Sequence, residues 1–222
     1  ALFRNLGYDP LKDFVPITKI AIAPLLALVR ADSPLRTMAD LVAMAKKDPK
    51  GVSYASFGTG SPSHMIGESI NRQAGISMTH VPYSAGNASV DLLGGQVTVA
   101  ILDALSQTPQ VKAGKMRALA LNGSQRLPAL PDVPTLTESG IPFDLVGWHG
   151  LFAPAGTPRE IVDRLNRLVN QIIAQPDVTA RLFELAMFPV QPPTTPEQWA
   201  DMLRSDVQAW GELVRRAGIT PN

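Results

Sequence analysis

Apolar and polar positions along this chain fall into blocks whose spacing switches between helical and extended. Met38, Leu41, Val42 and Ala45 recur at helical intervals behind Thr37-Met38-Ala39-Asp40, a capping-box pattern, and Pro49 closes the run. Val52 to Ser56 is short and β-prone; it runs into Gly58-Thr59-Gly60-Ser61, after which Ile66, Ile70 and Ala74 return to helical spacing as far as Gly75. Met78 to Tyr83 predicts another strand, followed by the loop Ser84-Ala85-Gly86 and a short helix over Ala88 to Leu93 that Gly94-Gly95 stops. Val97 to Leu102 and Met116 to Leu121, apolar but for Thr98 and Arg117, are runs of the kind that strands buried on both faces show, and Ile20 to Val29 reads as one more buried strand. Strand and helix thus alternate, which predicts an α/β fold with mostly parallel sheets flanked by helices.

The later part of the chain differs. Pro128, Pro131, Pro134 and Pro142 punctuate Leu127 to Pro142, which predicts a surface connection, and Phe143 to Phe152 reads as extended. A helix follows from Arg159 to Ala174 with Ile161, Leu165, Leu168, Val169 and Ile172 expected inward, then two more over Asp177 to Met187 and Pro196 to Ala217.

Length and composition narrow the function. A chain of 222 residues suffices for one large domain or two lobes. Twenty Lys and Arg against nineteen Asp and Glu leave a charge of +1 with no basic run, so the footprint of a nucleic-acid binder is missing. With no Cys there is neither a disulfide framework nor a thiolate metal site. The apolar run Ile20 to Val29, interrupted by Pro24, falls far short of the roughly 20 residues a membrane-spanning helix needs.

Five separated segments carry a family resemblance: Tyr54 to His64, His80-Val81-Pro82-Tyr83-Ser84, Asp91 to Val97, Leu127 to Thr135 and Gly150 to Pro158. In that order they resemble the substrate-binding proteins of tripartite tricarboxylate transporters, also called the Bordetella uptake gene family. The resemblance implies a two-lobed periplasmic-binding fold, of the type II kind, closing on a small carboxylate-bearing solute and delivering it to membrane permease subunits. It implies a periplasmic monomer without cofactor, metal or enzymatic activity. It places the lobe crossings near Val29-Arg30-Ala31 and Leu145 to Trp148, giving one lobe of 1–30 with 146–222 and another of 31–145. Family members carry several tens of residues, with a first strand and a Gly-rich loop, ahead of the point that matches Ala1.

The chemistry of the expected site starts from the turn. A Gly-rich turn between strand and helix presents backbone N–H groups and the positive end of the helix dipole, which suits an anion. Gly58 and Gly60 allow close approach, and Thr59 and Ser61 offer hydroxyls; alternatively the four residues only make a tight turn and cap the helix. His64 falls in the first turn of that helix, and the resemblance puts it beside the cleft, with a capping or packing role as the alternative. Tyr83, Ser84, Ala85 and Gly86 form the next strand-end loop, where doubly wound sheets bind ligands. Asp103 emerges at the same edge, either to accept from a ligand or to cap the next helix, and Trp148 either lines the cleft near the hinge or belongs to a core. Ser61, His64 and Asp103 lack the G-x-S-x-G elbow of a hydrolase, and Gly58-x-Gly60 lacks the third glycine of a dinucleotide fingerprint. A solute-sensing protein that presents its ligand to a signalling partner would use the same clamp.

Overall fold

The structure, a computed structural model, describes residues 7–83, 87–216 and 218. Its elements in chain order begin with β1 (Phe14–Ala23), β2 (Leu25–Arg30), α1 (Met38–Lys47), β3 (Ser53–Ser56), α2 (Pro62–Ala74), β4 (Thr79–Pro82), α3 (Ala88–Leu93) and β5 (Val99–Asp103). They continue with α4 (Ala104–Lys112), β6 (Met116–Leu121), β7 (Gly147–Pro154), α5 (Arg159–Ile173), α6 (Pro176–Glu184), β8 (Phe188–Pro189) and α7 (Pro196–Arg216). The chain divides into two compact units, Ala1–Ala23 with Gly147–Asn222 as unit one and Pro24–Val146 as unit two.

Pro24 sets the first division. Its ring fixes φ and removes an N–H donor, so it cannot continue a ladder through both sheets. The apolar run expected to be a single strand is therefore two: β1 ends at Ala23, and β2 starts at Leu25 in a different sheet. Residues 25–30 accordingly pair with β5 and β6 inside unit two rather than belonging with 1–23.

Unit two is built on a five-stranded sheet of order β4-β3-β5-β2-β6. β3 runs parallel to β4 and β5, the product of the strand–helix alternation, whereas β2 lies antiparallel to both β5 and β6. Leu26, Leu28, Tyr54, Ile66, Ile70 and Ile101 are fully buried between this sheet and its helices. The proline-rich segment 127–142 is irregular, as its prolines require, but it is no loose surface connection: Leu127, Leu136 and Ile141 are buried, and Thr135 bridges to Leu121 at the β6 edge. Covering that edge satisfies backbone groups that would otherwise be left open. Buried Asn122 ties the two ends of unit two together: Leu25 N–H donates to its Oδ1 at 2.6 Å and its Nδ2 donates to the Leu145 carbonyl at 2.7 Å.

Unit one has a three-stranded sheet of order β7-β1-β8, antiparallel throughout. The alternation of β7 sorts its contacts. Leu151 and Ala153 pack with Ile17 of β1 against Val162 and Leu165 of α5, while Trp148 and Phe152 pack against Trp199 of α7. Gly150 lies directly under Trp199, where an added Cβ would come within 2.6 Å of the indole. The buried face of α5 keeps Leu165, as expected, but is otherwise shifted from the one expected. Val162 and Ile173 are buried, Asn166 and Asn170 on that face bond the Ile17 carbonyl and the Thr18 hydroxyl, and Ile161, Leu168 and Ile172 point outward. Two asparagines on the inner face disguise the stripe, because a purely apolar count selects the wrong side.

Candidate functional site

Three parallel strands end at one edge of the unit-two sheet, and each delivers a residue singled out from the sequence. β3 runs into Phe57–Ser61, β4 into Tyr83, and β5 ends on Asp103. The first two loops are held together: Tyr83 N–H donates to the Ser56 carbonyl at 3.0 Å, and the Tyr83 carbonyl lies 3.7 Å from where a Cβ on Gly58 would stand. Gly58 and Gly60 have φ of 109° and 82°, a left-handed backbone that side chains other than glycine rarely adopt.

The turn's own amides are largely committed. Phe57 N–H donates to Ser63 Oγ at 2.9 Å, Gly58 N–H to Ser56 Oγ at 3.1 Å, Gly60 N–H to His64 Nδ1 at 2.9 Å and Ser61 N–H to the Gly58 carbonyl at 3.2 Å. Among the described residues this leaves exposed Thr59, with its amide and hydroxyl, as the donor of the turn that has no protein partner. Ser61 is the N-cap of α2: its Oγ accepts from His64 N–H at 3.3 Å and donates to the Gly58 carbonyl at 2.7 Å. The open cradle expected from glycine spacing is thus narrower, because serine and histidine side chains occupy most of its donors.

Beneath the turn lies a polar cluster in which Tyr54, Ser56 and His64 are buried and His80 and Glu68 half-buried. His64 of α2 and His80 of β4 stack face to face, ring centroids 3.8 Å apart and planes within 8°. Tyr54 of β3, paired with His80 in the strand register, stacks on that ring at 5.0 Å and donates its hydroxyl to Glu68 Oε1 at 2.5 Å. His80 Nε2 and Ser56 Oγ are 2.6 Å apart. Burial pushes the His64 imidazole below its ordinary value against the opposing pull of Glu68, and burial together with His64 lowers His80 to about 4. Both rings are therefore neutral at pH 7. Burial, then the bond to Glu68, holds the Tyr54 phenol in its protonated form.

The side chains of Tyr83, Asp103 and Trp148 are committed to other partners. Tyr83 donates its hydroxyl to Asp91 Oδ2 at 2.7 Å, a bond that pushes its phenol up to about 12. Asp103 caps α4: one carboxylate oxygen accepts from Ser106 N–H and the other from Ser106 Oγ, both at 2.7 Å, which fulfils the capping alternative. Ser84, Ala85 and Gly86 lie outside the described residues. Trp148 belongs to unit one, donates its Nε1–H to Asp206 at 2.7 Å and, with Tyr8, Phe14, Phe152 and Leu203, lines a cavity of about 240 Å³. His80 and Ser56 were missed from the sequence; their one signal was period two across β3 and β4, visible only once the register is known. Ser61, His64 and Asp103 do not form a relay, since the His64 Nδ1 is taken by Gly60 and Asp103 by Ser106. No group of three metal-ligating side chains occurs among the described residues.

Over residues 1–219 the sequence matches the profile of the tripartite tricarboxylate transporter family receptor. The chain belongs to that family. Proteins similar to it include a UPF0065 protein from the tcbD-tcbE intergenic region of Pseudomonas sp. strain P51, 37% identical over 99% of this chain and 66% of that relative. The chain therefore spans just under two thirds of that curated relative's length. Among solved structures, R. palustris Rpa4515 with adipate superposes with a TM-score of 0.89 at 31% identity, over 100% of this chain and 74% of the other. MatC from Rhodopseudomonas palustris with bound malate gives 0.81 at 33% identity, over 96% and 74%. The expected two-lobed α/β class, with helices flanking the sheets, is that of these structures, but the sheets are not mostly parallel as expected: among the described residues only β3 pairs parallel, with β4 and β5, and the other strand pairings are antiparallel.

Proposed function

We propose that this chain is the greater part of an extracytoplasmic solute-binding receptor that captures a small carboxylate for the permease subunits of a tripartite tricarboxylate-type transporter, acting as a monomer in the periplasm and without catalysis. The observation that carries this reading is family membership over nearly the whole chain, joined to a strand edge where a glycine turn at a helix N-terminus offers Thr59 to an anion. Two relatives carry adipate and malate, so a dicarboxylate is the first ligand class to test. On this reading Thr59 and the N-terminus of α2 receive one carboxylate, and Gly58 and Gly60 keep the approach open. Trp148 lies in unit one, where it lines an aromatic cavity with other residues of that unit. No helix among the described residues is long and apolar enough to cross a membrane, which agrees with a receptor handing its solute to separate membrane subunits.

The test is thermal unfolding of the protein against mono- and dicarboxylates. A true ligand at a hundredfold excess over its Kd stabilises by about 2.7 kcal/mol, and Gly60→Val, which combines a forbidden φ with a blocked approach, abolishes that rise. A protein that responds to no carboxylate, or a Gly60→Val variant that responds as well as wild type, refutes the reading.

A further inference from the structure

The histidine stack has no role in the expectations above, which gave His64 as a ligand contact and left His80 aside. Its geometry gives it one. His64 Nδ1 accepts from Gly60 N–H, so that nitrogen carries no proton and the ring proton sits on Nε2. His80 acts on the other glycine through Ser56, whose Oγ contacts His80 Nε2 at 2.6 Å, the Gly58 N–H at 3.1 Å and the Gly58 carbonyl at 3.2 Å. Each left-handed glycine of the turn is thus fastened to one ring of the stack.

We infer that His64 and His80 are positioning residues for the turn: as a neutral stacked pair they hold Gly58–Ser61 in its binding conformation, and uptake of a proton by the pair releases it, so that solute capture weakens in acid. The solute half of this inference rests on the function proposed above; the turn half does not. Protonation of His64 at Nδ1 turns the acceptor of Gly60 N–H into a donor, and two donors face to face repel. With centroids 3.8 Å apart the pair takes up one proton far more readily than two. Among the described residues, few groups face the stack. Glu68, on the same helix as His64, has its Oε1 3.9 Å from His64 Nε2 and already accepts from Tyr54 and Asn71; Tyr54 and Ser56 face it from β3, and neither is charged at neutral pH. Glu68 favours the protonated ring and burial opposes it more strongly, which puts the transition below the ordinary histidine value of 6.5.

The experiment follows the Gly60 amide by NMR in the unliganded protein from pH 7.5 downward, together with carboxylate affinity over the same range. The Gly60 amide is expected to be protected from exchange at neutral pH and to lose protection with a one-proton midpoint below the ordinary histidine value of 6.5. His64→Asn sets an amide oxygen near the position of Nδ1 without a titrating group, so protection persists and its pH profile is flat; His64→Leu removes the acceptor and leaves Gly60 unprotected throughout. Affinity falls by at most about tenfold per pH unit below the midpoint in the wild type, as one coupled proton requires. The solute's own titration cancels when wild type and His64→Asn are compared. Protection of Gly60 that does not change down to pH 4, or the same profile in His64→Asn, overturns the inference. An amide that titrates while affinity stays level overturns its solute half. If no carboxylate binds at any pH, the proposed function fails and the amide profile still decides the role of the pair.

Discussion

Replacing Gly67 by alanine ought to stabilise a helix and is expected to damage this protein. Gly67 sits in the middle of α2, where alanine gains about 1 kcal/mol of helix propensity over glycine. Its missing side chain, however, is the space that Tyr54 fills: a Cβ there would meet Tyr54 Cε2 at 2.1 Å and Cζ at 2.4 Å. Carbon atoms sit comfortably at about 3.5 Å, so the ring must retreat by more than an ångström. Tyr54 is fully buried, bonded through its hydroxyl to Glu68 and stacked on His80, and it has no free direction to move. Overpacking costs about 1–3 kcal/mol. Weakening a hydrogen bond to a carboxylate adds about 1.5–3 kcal/mol. Set against the propensity gain, the net loss is about 3 kcal/mol, or a fall in Tm on the order of 10 °C. Urea and thermal unfolding measure it, and a double-mutant cycle with Tyr54→Ala isolates the cause, since without the ring Gly67→Ala becomes neutral or stabilising. A single variant as stable as wild type, or an equal loss in the Tyr54→Ala background, would refute the packing argument.

Asn122→Leu leaves the Leu25 N–H and the Leu145 carbonyl without their partner, and a loss of about 2–4 kcal/mol in urea unfolding, with little change in slope, is expected; a loss below 1 kcal/mol would mean that water replaces the amide readily. Trp148→Phe keeps an aromatic edge near Trp199 but removes the donor to Asp206, and should cost about 1.5 kcal/mol of stability; Asp206→Asn, which retains an acceptor, should cost less, and the reverse order would contradict the bond.

What could be seen in the sequence was local. The box at Thr37 and Asp40 is present as expected, Thr37 Oγ1 accepting from Asp40 N–H at 3.1 Å and Asp40 Oδ2 from Thr37 N–H at 2.9 Å, because both groups lie within one turn of each other. The glycine turn and its position between strand and helix were equally legible, since left-handed φ selects the residue type. What escaped was whatever depends on partners far away in the chain. An apolar run such as 20–29 carries no mark of which sheet receives each half, and Asn166 and Asn170 look like solvent-facing residues until the backbone of β1 is placed beneath them. His80 and Tyr54 are 26 positions apart by their numbers and become neighbours only through the β3–β4 register. The occupancy of the turn's donors was hidden for the same reason, since it hinges on which way the Ser63 and His64 side chains fold back.

The way the two sheets are threaded makes unit two a cassette. It is one uninterrupted stretch of polypeptide, while unit one is assembled from what lies on either side. Ala23 and Gly147, the residues bordering the stretch, are opposite each other in the β1–β7 ladder, so excising 24–146 leaves two ends a single rung apart. A two-residue Asn-Gly turn would suffice to rejoin them as an ordinary hairpin. At the other side of the cut, Asn122 grips the backbone of the second and the next-to-last residues of the stretch, Leu25 and Leu145. Gene fusion could exchange such a module between relatives without redesigning its host, which offers an economical route for one scaffold to acquire new solute preferences.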